Sequence, residues 1–164
     1  MKNLFTLLLG TISLLACSPE ISQENAASEG DWRHHGGNHN SDKYAPLDQI
    51  DGSNFSDLEL AWRYRSPDLD LPEDLAYPTG DYRAVPLVVN GIMYVNSNHG
   101  LISALNSATG EELWVFDPKS YELGPPLFSP LQTRGIEYWT DGEIERIFIA
   151  TSGKQLVSVD IKTG

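Results

Sequence analysis

Cysteine occurs once in the 164 residues, at position 17, so no internal disulfide can form. Basic side chains are scarce: 11 Lys and Arg stand against 23 Asp and Glu, a net charge of −12. Binding a nucleic-acid backbone needs a basic face, and that class of partner is excluded. Beyond residue 17 no run approaches the roughly 18 to 20 apolar residues that span a bilayer. No ten-residue stretch holds a helical period. What is plentiful is turn chemistry, 14 Gly and 10 Pro, with short β-prone runs between. Apolar residues make up 40% of the chain, enough for a core, and the length allows one domain.

The first thirty residues read as an address and a tether. Met1-Lys2-Asn3 is a short positive start, Leu4 to Leu15 is almost wholly apolar, and Ala16-Cys17 follows. These are the parts of a secretory signal. Leu14-Leu15-Ala16-Cys17 resembles the bacterial lipobox, which implies a signal peptide over 1–16, cleavage before Cys17 and a diacylglycerol on its thiol. Two or more acyl chains hold a protein stably on a membrane. Ser18 after the Cys implies sorting to the outer membrane of a two-membrane bacterium, on the periplasmic side. Losing residues 1–16 removes Lys2 and no acid, leaving 10 basic and 23 acidic residues, or −13. Residues 17–30 are polar, acidic and without periodicity, and are expected to form a disordered tether.

From Trp32 onward, across a folded part spanning 31–164, the period is two. Leu58 to Tyr64 alternates and is expected to be a strand. Val85–Val89, Ile92–Val95, Leu101–Leu105 and Glu112–Phe116 are separated by Asn90-Gly91, Asn98-His99-Gly100 and Ser107-Ala108-Thr109-Gly110. Four short strands joined by tight turns make a meander of the kind that forms one propeller blade. The unit then recurs: Arg134–Trp139 is expected as an inner strand, then Arg146–Ala150 and Gln155–Asp160, ending in Lys162-Thr163-Gly164. Gly110 and Gly164 close equivalent turns 54 residues apart. That exceeds the roughly 40 to 45 residues of a typical blade repeat. The excess falls on the Pro-rich stretch 117–131, read as an inserted loop over one face. Glu111 to Trp114 follow the first Thr-Gly and nothing follows the second. The chain is therefore expected to be the N-terminal part of a longer protein, with about two blades and open sheet edges.

Ala104-Leu-Asn106-Ser-Ala-Thr109-Gly110-Glu-Glu-Leu-Trp114 resembles the tryptophan-docking repeat of quinoprotein β-propellers. Asp31-Trp32-Arg-His-His-Gly36-Gly37, with Lys43-Tyr44-Ala45-Pro46-Leu47-Asp48-Gln49-Ile50, resembles the leading segment of dehydrogenases that use pyrroloquinoline quinone (PQQ). Asn54 to Trp62, Pro86 to Tyr94 and Arg134 to Gly142 continue the likeness, which covers 31–164. It implies an all-β fold, an eight-bladed propeller in the full-length family, with the quinone in the central channel beside a Ca²⁺. Ca²⁺ takes oxygen ligands and polarises the quinone carbonyl. A carboxylate base would take the hydroxyl proton of an alcohol, polyol or sugar while hydride passes to the quinone. The base and the Ca²⁺ ligands belong to later blades in this family, so the stretch alone is not expected to be active.

Two residues carry over from the resemblance. Arg134 matches the arginine that contacts the polar edge of the quinone, where a guanidinium fork suits a carboxylate. Arg83 stands three residues before Pro86, where the family has Glu; a cation there could pair with a cofactor carboxylate. The alcohol-oxidising branch carries adjacent cysteines shortly before the arginine, and here the region is Phe128-Ser129-Pro130. That absence points away from the methanol-oxidising type and toward a glucose-, polyol- or sugar-oxidising branch. No Cys-x-x-Cys-His haem motif occurs, so electrons would leave to a membrane quinone such as ubiquinone or to a separate cytochrome.

Other residues read more plainly. His34, His35 and His39 lie in a Gly-Asn-rich loop and are taken as solvated rather than as metal ligands. His99 is taken as a turn residue, and Trp114, Trp62 and Trp32 as packing residues. Asp117-Pro118 and Asp141-Gly142 are turn chemistry. A second class stays open: a non-enzymatic propeller lipoprotein serving as a protein-binding scaffold in outer-membrane assembly, which shares the docking repeat.

Overall fold

In the computed structural model, residues 30–74, 77–126, 131 and 134–164 are described. The signal segment, Cys17 and nearly all of the tether lie outside the described residues, as do residues 127–130 of the inserted loop. Strands β1 (Leu87–Val89), β2 (Ile92–Asn96), β3 (Ile102–Asn106) and β4 (Glu112–Phe116) form one antiparallel sheet in chain order. Strands β5 (Glu137–Thr140), β6 (Glu145–Ala150) and β7 (Leu156–Asp160) form a second. Short 3-10 turns at Phe55–Asp57, Pro67–Asp70 and Ser120–Leu123 are the helical pieces among the described residues.

The hairpins follow from their turn residues. Val89 pairs with Ile92 across Asn90-Gly91, both at positive φ (52° and 77°). Two left-handed residues give the turn whose twist matches the flanking strands, and Asn-Gly tolerates it best. The two longer turns repeat one device. Asn106 Oδ1 accepts from the amides of Ala108 and Thr109 at 3.0 and 3.2 Å. Asp160 Oδ1 accepts from those of Lys162 and Thr163 at 3.0 and 3.1 Å. Each turn closes on a glycine at positive φ, Gly110 (72°) and Gly164 (71°). Asn and Asp are interchangeable there because the turn needs only a short side-chain acceptor.

The two sheets share one core. Leu87, Val89, Tyr94, Ile102 and Ala104 pack in a single buried cluster with Ile136, Tyr138, Ile147, Ile149, Val159 and Ile161. β2 and β6 bury alternate residues in the same pattern, whereas Ile102 to Leu105 are all buried, as expected of a strand covered on both faces. Between the sheets Trp114 crosses from β4: its Nε1 donates to Ile161 O at 3.1 Å, and its ring covers Gly164. A register shift beside Ala104 and Leu105 pairs Ala104 with Trp114 and Leu105 with Glu112, so Leu113 is the extra residue of a bulge.

Two sequence expectations need correction. Leu58 to Tyr64 is extended but pairs with no strand among the described residues. Its alternation serves docking: Trp62 covers Gly110 and donates from Nε1 to Ser107 O at 3.1 Å, as Trp114 does one unit later. Tyr64 OH donates to Glu112 Oε2 at 2.5 Å and lies 2.9 Å from the Ser103 hydroxyl. The inner strand expected from Arg134 begins at Glu137, because Gly135, at φ 130°, interrupts regular extended backbone.

Candidate functional site: a cleft between the two units

The leading segment fixes one wall. Trp32 exchanges both backbone bonds with Val88 (2.8 and 2.9 Å), adding a one-residue bridge to β1. Asp31, buried, accepts from the Asn90 amide at 2.9 Å and from Arg33 Nε at 2.9 Å. Arg33 in turn lies over the Tyr138 ring, 5.6 Å from its centroid, so the segment ties the first sheet to the second. Gly36 allows the chain to turn here: a Cβ on it would meet Ser41 at 2.6 Å.

On that wall sits a cleft of about 490 Å³ lined by His35, Arg83, Arg134, Glu137, Phe148 and Leu156 among others. Arg83 comes from the approach to β1 and Arg134 from the approach to β5, 51 residues apart. Both line the cleft because the chain at Gly135 comes close to Val85: a Cβ on Gly135 would lie 3.8 Å from the Val85 amide nitrogen. Arg83 bonds Asp81 at 3.2 Å on an exposed edge. The side chain of Glu137 is occupied by His34, whose Nδ1 contacts Oε1, and the His34 ring stacks on His39 with centroids 3.9 Å apart. The three N-terminal histidines therefore divide: His34 and His39 brace the segment, and His35 faces the cleft. Among the described residues no three His, Cys, Asp or Glu side chains converge to hold a metal ion.

Chemically, the cleft brings two guanidinium groups and an imidazole together, with Glu137 held by His34. Arg donates two parallel hydrogen bonds to a carboxylate, so two arginines in one cleft suit a ligand carrying several carboxylates. The residues present fit the tricarboxylated quinone. Arg83, where the family has an acid, adds positive charge to that fit.

His99 is a turn residue as expected, with a burial that the sequence reading did not foresee. It sits at a turn between β2 and β3, yet it is 3% exposed, with Nδ1 3.0 Å from Asp68 Oδ2. Asp68 lies on the 3-10 turn 31 residues earlier. Burial works against ionisation of Asp68, but bonding to His99 and Ser97 outweighs it and holds the carboxyl below its usual range. Only the apolar flanks of Asn98-His99-Gly100 could have hinted at that burial.

Comparison with known proteins gives the family. Residues 32–164 match the family described as glucose/ethanol/alcohol dehydrogenase, PQQ β-propeller domain. The chain belongs to that family of PQQ-dependent dehydrogenases, and its two sheets are blades of the propeller. Over 144 residues it is 34% identical to the dehydrogenase subunit of alcohol dehydrogenase (quinone) from Gluconobacter oxydans, covering 87% of this chain and 17% of that protein. It is 32% identical over 161 residues to the quinoprotein glucose dehydrogenase of the same organism, covering 90% of this chain and 19% of that protein. The crystal structure of quinohemoprotein alcohol dehydrogenase from Comamonas testosteroni superposes with a TM-score of 0.62 at 29% identity, over 84% of this chain and 18% of that one. The chain spans less than a fifth of each of these three.

Proposed function

We propose that these blades form part of a PQQ-dependent dehydrogenase that oxidises a hydroxyl of an alcohol, polyol or sugar and passes the electrons to a membrane quinone or a cytochrome. The observation that carries this reading is the meeting of Arg83 and Arg134, from two successive units, in one cleft. The bound quinone supplies the hydride acceptor; the chain's own residues hold and orient it through its carboxylates. The carboxylate base and the Ca²⁺ ligands are assigned to later blades of the longer polypeptide. Cys17 carries the lipid that keeps the enzyme on the periplasmic side of the outer membrane.

The test is a titration of quinone-free full-length protein with PQQ. A charge-assisted hydrogen bond contributes about 1.5 to 3 kcal/mol, so Arg134→Ala should weaken affinity roughly 10- to 150-fold. Arg134→Lys should recover only part of it, lacking the fork. Arg63→Ala, at an exposed position, should change little. Equal affinity of wild type and Arg134→Ala would remove the cleft as the quinone site, and absence of any quinone binding would leave the scaffold reading in its place.

A further inference from the structure

A second cavity, larger than the cleft at about 700 Å³, opens on the other side of the segment that carries Arg83. Tyr82 and Pro86 line this cavity while Arg83 lines the cleft, so one stretch of backbone walls both. Its polar floor is Asp68, Asn98 and His99; Tyr64, Tyr77 and Tyr82 contribute to its sides.

Several floor atoms are unmatched. Asn98 Nδ2 donates to Gly80 O at 3.3 Å, which fixes the amide and leaves Oδ1 buried without a partner among the described residues. In the tautomer that donates from Nδ1 to the Asp68 carboxylate, 3.0 Å away, His99 presents a lone pair at Nε2. That Nε2 is buried and unpartnered as well. Both residues are at least nine-tenths buried. Buried acceptors are rarely left unmatched in folded proteins, and such orphans collected in one cavity point to a ligand that brings donors.

The lining selects the class. Among the described residues it contains no Lys or Arg, and its one carboxylate, Asp68, repels anions. Hydrogen-bond donors already stabilise the Asp68 charge, the His99 amide and ring and Ser97, so a cation is not required. The unmatched atoms are Asn98 Oδ1, His99 Nε2 and Asp68 Oδ1, acceptors that hydroxyl groups satisfy. We infer that the Asp68–Asn98–His99 cavity binds a small polyhydroxylated molecule, with separate hydroxyls donating to Asn98 Oδ1 and His99 Nε2. A monohydroxy alcohol has one donor and leaves one of the two atoms unmatched. As a statement about substrate, the polyol class rests on the proposed dehydrogenase activity; the binding itself does not.

The experiment uses quinone-free full-length protein, titrated with sorbitol, with ethanol and with tetramethylammonium. Calorimetry and the imidazole ¹⁵N resonances of His99 report binding. Sorbitol should bind and move the Nε2 resonance, ethanol should bind about tenfold or more weakly, and His99→Gln and Asn98→Leu should each lower sorbitol affinity about tenfold. PQQ affinity, measured separately, should stay within about twofold in both variants, so a failure here and a failure of the quinone cleft read differently. A His99 resonance unmoved by saturating sorbitol overturns the inference, as does preference for tetramethylammonium or equal sorbitol affinity in wild type and variants. If either variant does not fold, the wild-type resonance decides.

Discussion

Trp62 lies flat over Gly110: a methyl group built on that glycine would sit 2.6 Å from the indole. Gly110 also has φ 72°, which L-residues adopt only with strain. Gly110→Ala combines both penalties and should destabilise the fold by about 2 to 4 kcal/mol. Trp62→Phe keeps a ring there but loses the bond to Ser107 O, and should cost about 0.5 to 1.5 kcal/mol. Urea unfolding of both variants checks the order; a neutral Gly110→Ala would show that the indole does not dock there in solution.

Asp160 gives the second turn a dependence on pH that Asn106 does not give the first. Bonds from the backbone of Lys162 and Thr163 hold its carboxyl below the usual range. A carboxyl depressed by folding stabilises above its unfolded pKa, near 3.9, and that contribution disappears as pH falls through the folded value. The urea midpoint should therefore drop below about pH 4, and drop less steeply in Asp160→Asn, which keeps the acceptor.

At the alkaline end four tyrosines behave alike. Tyr64, Tyr94 and Tyr138 are pushed up to about 12 chiefly by burial, and Tyr121 to about 12 chiefly by its bond to Asp117. Folding favours their neutral forms. The stabilisation is whole below pH 10, roughly their unfolded pKa, and lost as pH rises through about 12. Ultraviolet titration should show these phenols ionising late, together with loss of structure. Tyr138→Phe should remove one late step.

Lipidation at Cys17 is tested by labelling. Radiolabelled palmitate should enter the full-length protein in cells and be absent from Cys17→Ser, which should also leave the membrane fraction. Label that survives the substitution would sink the anchor.

Most of the sheet structure is readable because short apolar runs are bounded by strong turn chemistry: Asn90-Gly91 fixes one hairpin, and the Asn106 and Asp160 turns announce the repeat. The alternation of Leu58 to Tyr64 misleads because period two describes any extended chain, paired or docked. The bulge at Leu113 leaves no local mark, since it arises from fitting Trp114 into the neighbouring unit. Arg134 and Arg83 came from family likeness and not from spacing; their meeting depends on the close approach of the chain at Gly135 to Val85. The Asp68–His99 contact joins a 3-10 turn to a β-turn, and no periodicity links such pieces.

The indoles that cover Gly110 and Gly164 also set how unfolding would spread. Trp114 belongs to the first unit and Gly164 to the second, so that dock couples neighbours, and Trp62 couples the extended segment before β1 to the first unit in the same way. A repeat array of this kind gains its cooperativity from such junctions as much as from the intrinsic stability of each sheet. Weakening the Trp114 junction would let the second sheet open at a lower free energy than the first, and hydrogen exchange along β5 to β7 would record that uncoupling before any global probe did.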